Sequence, residues 1–169
     1  MEPRKNLVTT IAAVQSLAAD GLEIPLVVAG GKGWRDDELR ERIARSPARV
    51  IPVGRVTDHQ LVALYGSATC LVFPSLYEGF GLPVLEAMSC GAPVIAANTT
   101  STPEVVGDAG ILVAPRDVSA IAQAIRSIEG SPAYAEELRA RGRAHAAEFT
   151  WQRTVDLTLE VYTKALGST

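Results

Sequence analysis

The chain has 169 residues, 47% hydrophobic and 21% charged, which is the size and makeup of one globular domain able to bury a core. Its formal net charge is −3 and its Lys and Arg are scattered, so it lacks the basic face that nucleic acid requires. The longest apolar runs are far too short to span a bilayer, and Met1 leads into EPRKN rather than a signal sequence, so the expected location is the cytoplasm, with peripheral attachment to the inner face of a membrane left open.

Arg4 and Lys5 directly precede Asn6, which reads as the N-cap of a helix running to about Ala19. Leu7, Ile11, Val14 and Ala18 give that helix a buried face, and Gly21 stops it. Residues 25–29 (PLVVA) read as a parallel core strand that ends in a loop bearing Gly30, Gly31 and Gly33. A charged helix over residues 36–45 follows, then a strand over residues 49–53 (RVIPV) ending at Gly54. Thr57 and Gln60 have the spacing of a capping box, and Leu61, Leu64 and Tyr65 supply the next helix with its apolar stripe.

Residues 70–74 form the next strand, which runs into a loop with Gly79 and Gly81, a helix opening at Leu82 and Pro83, and a strand over residues 93–97. Thr102, Pro103 and Glu104 suit the cap, first position and acidic first turn of a short helix that Gly107 ends. Residues 110–113 (GILV) are the last strand. Three helices close the chain, over residues 118–128, 132–147 and 150–166, the last with Trp151, Val155, Leu159, Tyr162 and Leu166 along one strongly apolar side. Strands alternate with helices, and the strands are apolar without in/out alternation. This predicts a doubly wound α/β fold, a Rossmann-like parallel sheet with helices on both faces. Ligands in such sheets collect beyond the carboxyl ends of the strands, where all the glycine loops lie, so one crevice can gather them.

The residues at those ends suit a nucleotide. The N–H groups of Gly79, Phe80, Gly81 and Leu82 open a helix and can meet a phosphate, and Pro83 lacks an N–H where none is needed. Glu86 lies about one turn into the helix and can accept from two adjacent hydroxyls, as carboxylates do against a ribose. Glu78 precedes the glycines and can reach hydroxyls on a group beyond the phosphates. Arg4 and Lys5 are candidate counter-charges for a diphosphate. A Gly-x-Gly before a helix also serves as a plain strand-to-helix connection, but an acid on each side of such a loop has no evident structural purpose. Cys70 and Cys90 have no partner spacing and read as small buried residues of a reducing compartment, His59 and His145 read as helix-surface residues, and no metal-ligand cluster is apparent.

The stretch PSLYEGFGLPVLEAMSCGAPVIA resembles the retaining GT-B glycosyltransferases of family 4, or group 1, whose C-terminal domain carries an E-x7-E motif, here Glu78 to Glu86. The likeness continues through TPEVVGDAGILVAPRD to the closing FTW, and back through IPVGRVTDHQLVALYGSA to EPRKN, covering nearly the whole chain. EPRKN looks most like a branch in which many members are mannosyltransferases using GDP-mannose. The resemblance implies Glu86 on the ribose, Glu78 on hydroxyls of the donor sugar and Lys5 neutralising the diphosphate, which makes Glu78 and Lys5 the catalytic candidates. It implies the backbone of Gly79, Phe80 and Gly81 on phosphate or sugar, with Arg4 as a second cation and the segment at Arg55 and Val56 along the base.

The implied reaction moves a hexose of mannose or glucose type from a nucleotide-diphosphate sugar to an acceptor hydroxyl with retention. It needs no metal and no cofactor beyond the donor, for which GDP-mannose is favoured over a UDP-sugar. Two departures stand out. Only the C-terminal of the family's two domains is recognisable, and the family domain's first strand is lacking. The expectation is a single GT-B half that binds a nucleotide sugar, transfers nothing alone and relies on an N-terminal acceptor-binding domain or subunit. The lacking strand predicts an unpaired apolar edge near Val27 that favours a homodimer. The alternatives are half of a sugar-nucleotide epimerase and a non-catalytic nucleotide-sugar-binding subunit of a split transferase. A dehydrogenase domain is disfavoured, because the GxGxxG fingerprint is absent.

Overall fold

The computed structural model describes residues 2–31, 41, 43, 46 and 48–167; Gly33 and most of the helix expected over residues 36–45 lie outside them. A 3-10 turn, Pro3–Lys5, leads through Asn6 into α1 (Leu7–Ala19), followed by β1 (Leu26–Ala29) and β2 (Val50–Gly54). Next come α2 (Asp58–Ser67), β3 (Leu71–Phe73), α3 (Leu82–Ser89), β4 (Val94–Ala97), α4 (Thr102–Val106) and β5 (Ile111–Val113). Three helices follow, α5 (Val118–Glu129), α6 (Pro132–Ala146) and α7 (Trp151–Leu166).

Local chemistry starts most of these helices. Thr57 accepts from the Gln60 N–H while the Gln60 side chain accepts from Thr57 N–H, a reciprocal capping box. Asp117, Ser131 and Thr150 each accept from the N–H three residues on, which satisfies one of the donors a helix start leaves open. Asn6 and Thr102 depart from expectation. Asn6 sits at the cap position in a left-handed conformation but spends its side chain elsewhere, and Thr102 is the first helical residue, with Ser101 in the cap position.

Every strand pairing among the described residues is parallel, so each pair is joined by a crossover rather than a hairpin. The strands form two pieces, β1–β2 in register Leu26 opposite Val50, and β3–β4–β5 in register Leu71 opposite Val94 and Ile95 opposite Ile111. β1 and β3 thus each have one edge unpaired among the described residues, and Val27 is 42% exposed.

β4 shows why the strands read as continuously apolar. All four of its residues are buried, and successive side chains point to opposite faces. Ile95 enters a core built from Ala13, Val14 and Leu17 of α1 and Ile121, Ile125 and Ile128 of α5. Val94 and Ala96 enter a second core with Val84, Ala87 and Met88 of α3 and Val105 and Val106 of α4. Helices on both faces make the fold doubly wound, and removing Ile95 from water contributes roughly 2 kcal/mol. α7 is the contrast. It has the expected amphipathic pattern, yet none of its residues is buried and Trp151 is 85% exposed, because nothing among the described residues covers its apolar side.

Candidate donor site

The amino-terminal turn is pinned to the carboxyl end of β3. Asn6 Nδ2 donates to the carbonyls of Pro74 and Pro115, and its Oδ1 accepts from Thr9. The Leu76 N–H donates to the Arg4 carbonyl at 2.7 Å. Asn6 therefore joins the turn before α1, the end of β3 and the loop after β5, and so sets Arg4 and Lys5 beside the E-x7-E loop. A residue read only as a cap proves to be the fastening of the site.

Glu78 is 8% exposed and meets both cations, Lys5 Nζ to Oε1 at 2.7 Å and Arg4 Nη1 to Oε2 at 2.8 Å. Arg4 also donates to the Tyr77 carbonyl and pairs through Nε with Glu2, while Lys5 Nζ stands 4.5 Å from the centre of the Phe73 ring. Burial works to raise the Glu78 carboxyl. The Lys5 ammonium, the Ser75 hydroxyl and the Arg4 guanidinium outweigh burial and hold it below the ordinary glutamate value. One carboxylate cannot exhaust the three donors of an ammonium and the five of a guanidinium, so the pair retains capacity for a further anion.

The loop that follows offers backbone donors. Gly81 caps α3 at φ 110°, a conformation that only glycine adopts without strain, and a Cβ built at Gly79 or Gly81 would meet no atom within 4 Å. Among the described residues no acceptor pairs with the N–H groups of Gly79, Phe80, Gly81 or Leu82. The first turn of α3 has no acid, leaving the positive end of the helix dipole uncompensated. The loop is braced from the far side by residues 99–101. Thr99 Oγ1 donates to the Ser75 carbonyl, the Glu78 N–H donates to Thr100 Oγ1, and Ser101 Oγ lies 2.9 Å from the carbonyl oxygens of both Glu78 and Phe80.

Glu86 stands exposed on α3. Tyr65 of α2 lies buried behind it, and burial together with the Glu86 charge pushes the phenol up to about 12, so it stays protonated. Arg55 and Val56 follow β2, with the Arg55 side chain packed against Gly31 and the Gly30 N–H bonded to the Gly54 carbonyl. The structure therefore brings Arg4, Lys5 and Glu78 together beside Gly79, Phe80, Gly81 and Leu82, and sets Gly30 and Gly31 beside Gly54 and Arg55. No hydrogen bond or ion pair joins the two groups among the described residues.

Sequence reasoning passed over Thr100 and Ser101 and read His145 as a helix-surface residue. A run of hydroxyl residues after a buried strand is the only trace the first two leave. His145 Nε2 donates to the Val105 carbonyl at 3.1 Å, and its ring meets Phe149, which in turn meets Phe80 edge-on at 6.2 Å. It is a packing residue behind the loop rather than a surface bystander. Burial pushes the Cys70 thiol up to about 12, so it stays protonated and unreactive although the residue is partly exposed. No group of three or more metal-ligating side chains occurs among the described residues, and no helix there is long and apolar enough to cross a membrane.

A family model described as glycosyl transferases group 1 matches residues 1–145. The O-antigen chain mannosyltransferase B of Escherichia coli is 43% identical over 165 residues, covering 96% of this chain and 43% of that protein. The serotype-specific mannosyltransferase WbdA of Escherichia coli is 39% identical over 176 residues, covering 99% of this chain and 21% of that protein. Among solved structures, the sucrose-phosphate synthase of Thermosynechococcus elongatus superposes with a TM-score of 0.79 at 30% identity, over 99% of this chain and 44% of that one. The chain thus spans less than half the length of each of these relatives.

Proposed function

The chain belongs to the group 1 glycosyl transferases, and we propose on that premise that it is the donor-binding part of a retaining hexosyltransferase. It takes a nucleotide-diphosphate sugar and presents the sugar to an acceptor hydroxyl held by other parts of the protein. The observation that carries this reading is the buried Glu78 clasped by Lys5 and Arg4 at the mouth of a loop with four N–H groups unpaired among the described residues. The diphosphate lies on those N–H groups with Lys5 and Arg4 as counter-charges. Glu78 accepts from hydroxyls of the sugar. Glu86 accepts from the ribose hydroxyls, and the Arg55–Val56 segment runs along the base.

As the bond from sugar to phosphate lengthens, negative charge gathers on the leaving diphosphate. Fixed cations and helix-end donors stabilise that charge more than the ground state, which is the condition for acceleration. Mannose as the sugar is favoured by the mannosyltransferase names of the relatives at 43% and 39% identity, and GDP as its carrier rests on the resemblance of EPRKN alone.

Titration calorimetry with GDP, UDP, ADP and NAD tests the reading. GDP should bind tightest, and binding of NAD alone would overturn it. Sugar transfer by the 169-residue chain alone would overturn the division of labour between this part and the rest.

A further inference from the structure

The geometry points to Thr100 and Ser101 as a clamp that aims the amides of Gly79 and Gly81 at the donor diphosphate, Ser101 being the positioning residue. This rests on the donor-site reading above and adds to it a residue pair outside the E-x7-E motif. Two costs mark the pair. Thr100 is held at φ 53°, where a β-branched residue is rarely found and where strain of about 1–3 kcal/mol is typical. Ser101 occupies the N-cap position of α4, a place where serine usually bonds a helix N–H, yet it makes no cap bond. Both side chains turn instead to one short stretch, Thr100 Oγ1 accepting from the Glu78 N–H at 3.1 Å and Ser101 Oγ sharing its single proton between the carbonyls of Glu78 and Phe80.

The consequence follows from peptide planarity. In a trans peptide the C=O and the next N–H point in opposite directions. No cis peptide is present among the described residues, so drawing the Glu78 and Phe80 carbonyls toward Ser101 turns the N–H groups of Gly79 and Gly81 away from it, onto a common side. Two flexible glycines thereby become a preset pair of donors, and the ordering cost of binding falls. A hydroxyl whose role were only to stiffen the fold would need no orientation relative to these two amides.

Titration of the full chain with GDP and with guanosine, which lacks the phosphates, separates the roles. Ser101→Ala should weaken GDP about tenfold and leave guanosine within twofold, while Ser101→Thr, which keeps the hydroxyl, restores GDP binding. The amide signals of Gly79 and Gly81 should shift in free Ser101→Ala and not in Ser101→Thr. Thr100→Val, which keeps the branched shape and removes the acceptor, should repeat the GDP-selective loss and serves if Ser101→Ala fails to fold. Equal loss for GDP and guanosine, or unchanged GDP binding in both variants, would overturn the clamp. Wild-type chain that binds no GDP would overturn the donor-site reading and the clamp with it, whereas binding that is indifferent to Ser101 and Thr100 overturns the clamp alone.

Discussion

Glu78 and Glu86 frame one loop, yet Glu78 is sealed between two cations while Glu86 stands open on the outer side of α3. At the Glu78 end, protein groups already bond both carboxylate oxygens, each of which keeps a free lone pair, and residues 99–101 brace the backbone around them. At the Glu86 end the carboxylate has, among the described residues, the buried Tyr65 phenol behind it. The difference separates a preorganised electrostatic end, where charge develops during transfer, from a recognition end that waits for hydroxyls. Fold stability should therefore depend on the first acid and not on the second.

The largest effect is expected at Glu78. Glu78→Ala leaves Lys5 and Arg4 without their shared anion, and because both cations are partly exposed the loss is discounted to about 2 kcal/mol, read as a lower midpoint in urea unfolding. Gly81→Ala comes next, at about 1 kcal/mol, since φ 110° strains any side-chain-bearing residue even though the space around it is open. Glu86→Ala should change stability by less than about 0.5 kcal/mol, as exposed substitutions usually do. An equal loss of stability at the two acids would erase the contrast.

Acid sharpens the same comparison. The folded Glu78 carboxyl titrates below its unfolded value, so its contribution is fully present above about pH 4.3, the ordinary glutamate pKa, and is lost as pH falls through the lowered folded value. Wild type should lose stability over that acid range more steeply than Glu78→Gln, which has no carboxyl to protonate. Matching acid profiles would show that the pairing does not hold Glu78 down.

Much of the fold was legible because its signals are local. The apolar run at β4, the Thr57–Gln60 box and the helical spacing of Ile121, Ile125 and Ile128 each follow from a few neighbouring residues. The E-x7-E loop was legible for the same reason. What escaped depends on partners far along the chain. Arg4 meets Glu78 across 74 positions, and nothing near either residue announces the pairing. The separation of β1–β2 from β3–β4–β5 is a matter of which edges meet, which strand composition does not encode. Thr100 and Ser101 went unread because backbone strain and a diverted hydroxyl leave no mark in composition. The stripe on α7 was legible as a stripe, but amphipathicity does not say whether a partner covers it.

The most direct test compares GDP with GDP-mannose by titration calorimetry in wild type, Glu78→Ala and Glu86→Ala. Glu86→Ala should weaken both ligands alike, by about 1–3 kcal/mol for lost charge-assisted bonds, while Glu78→Ala should weaken GDP-mannose and spare GDP. Equal losses for the two ligands in Glu78→Ala would contradict the assignment of Glu78 to the transferred sugar.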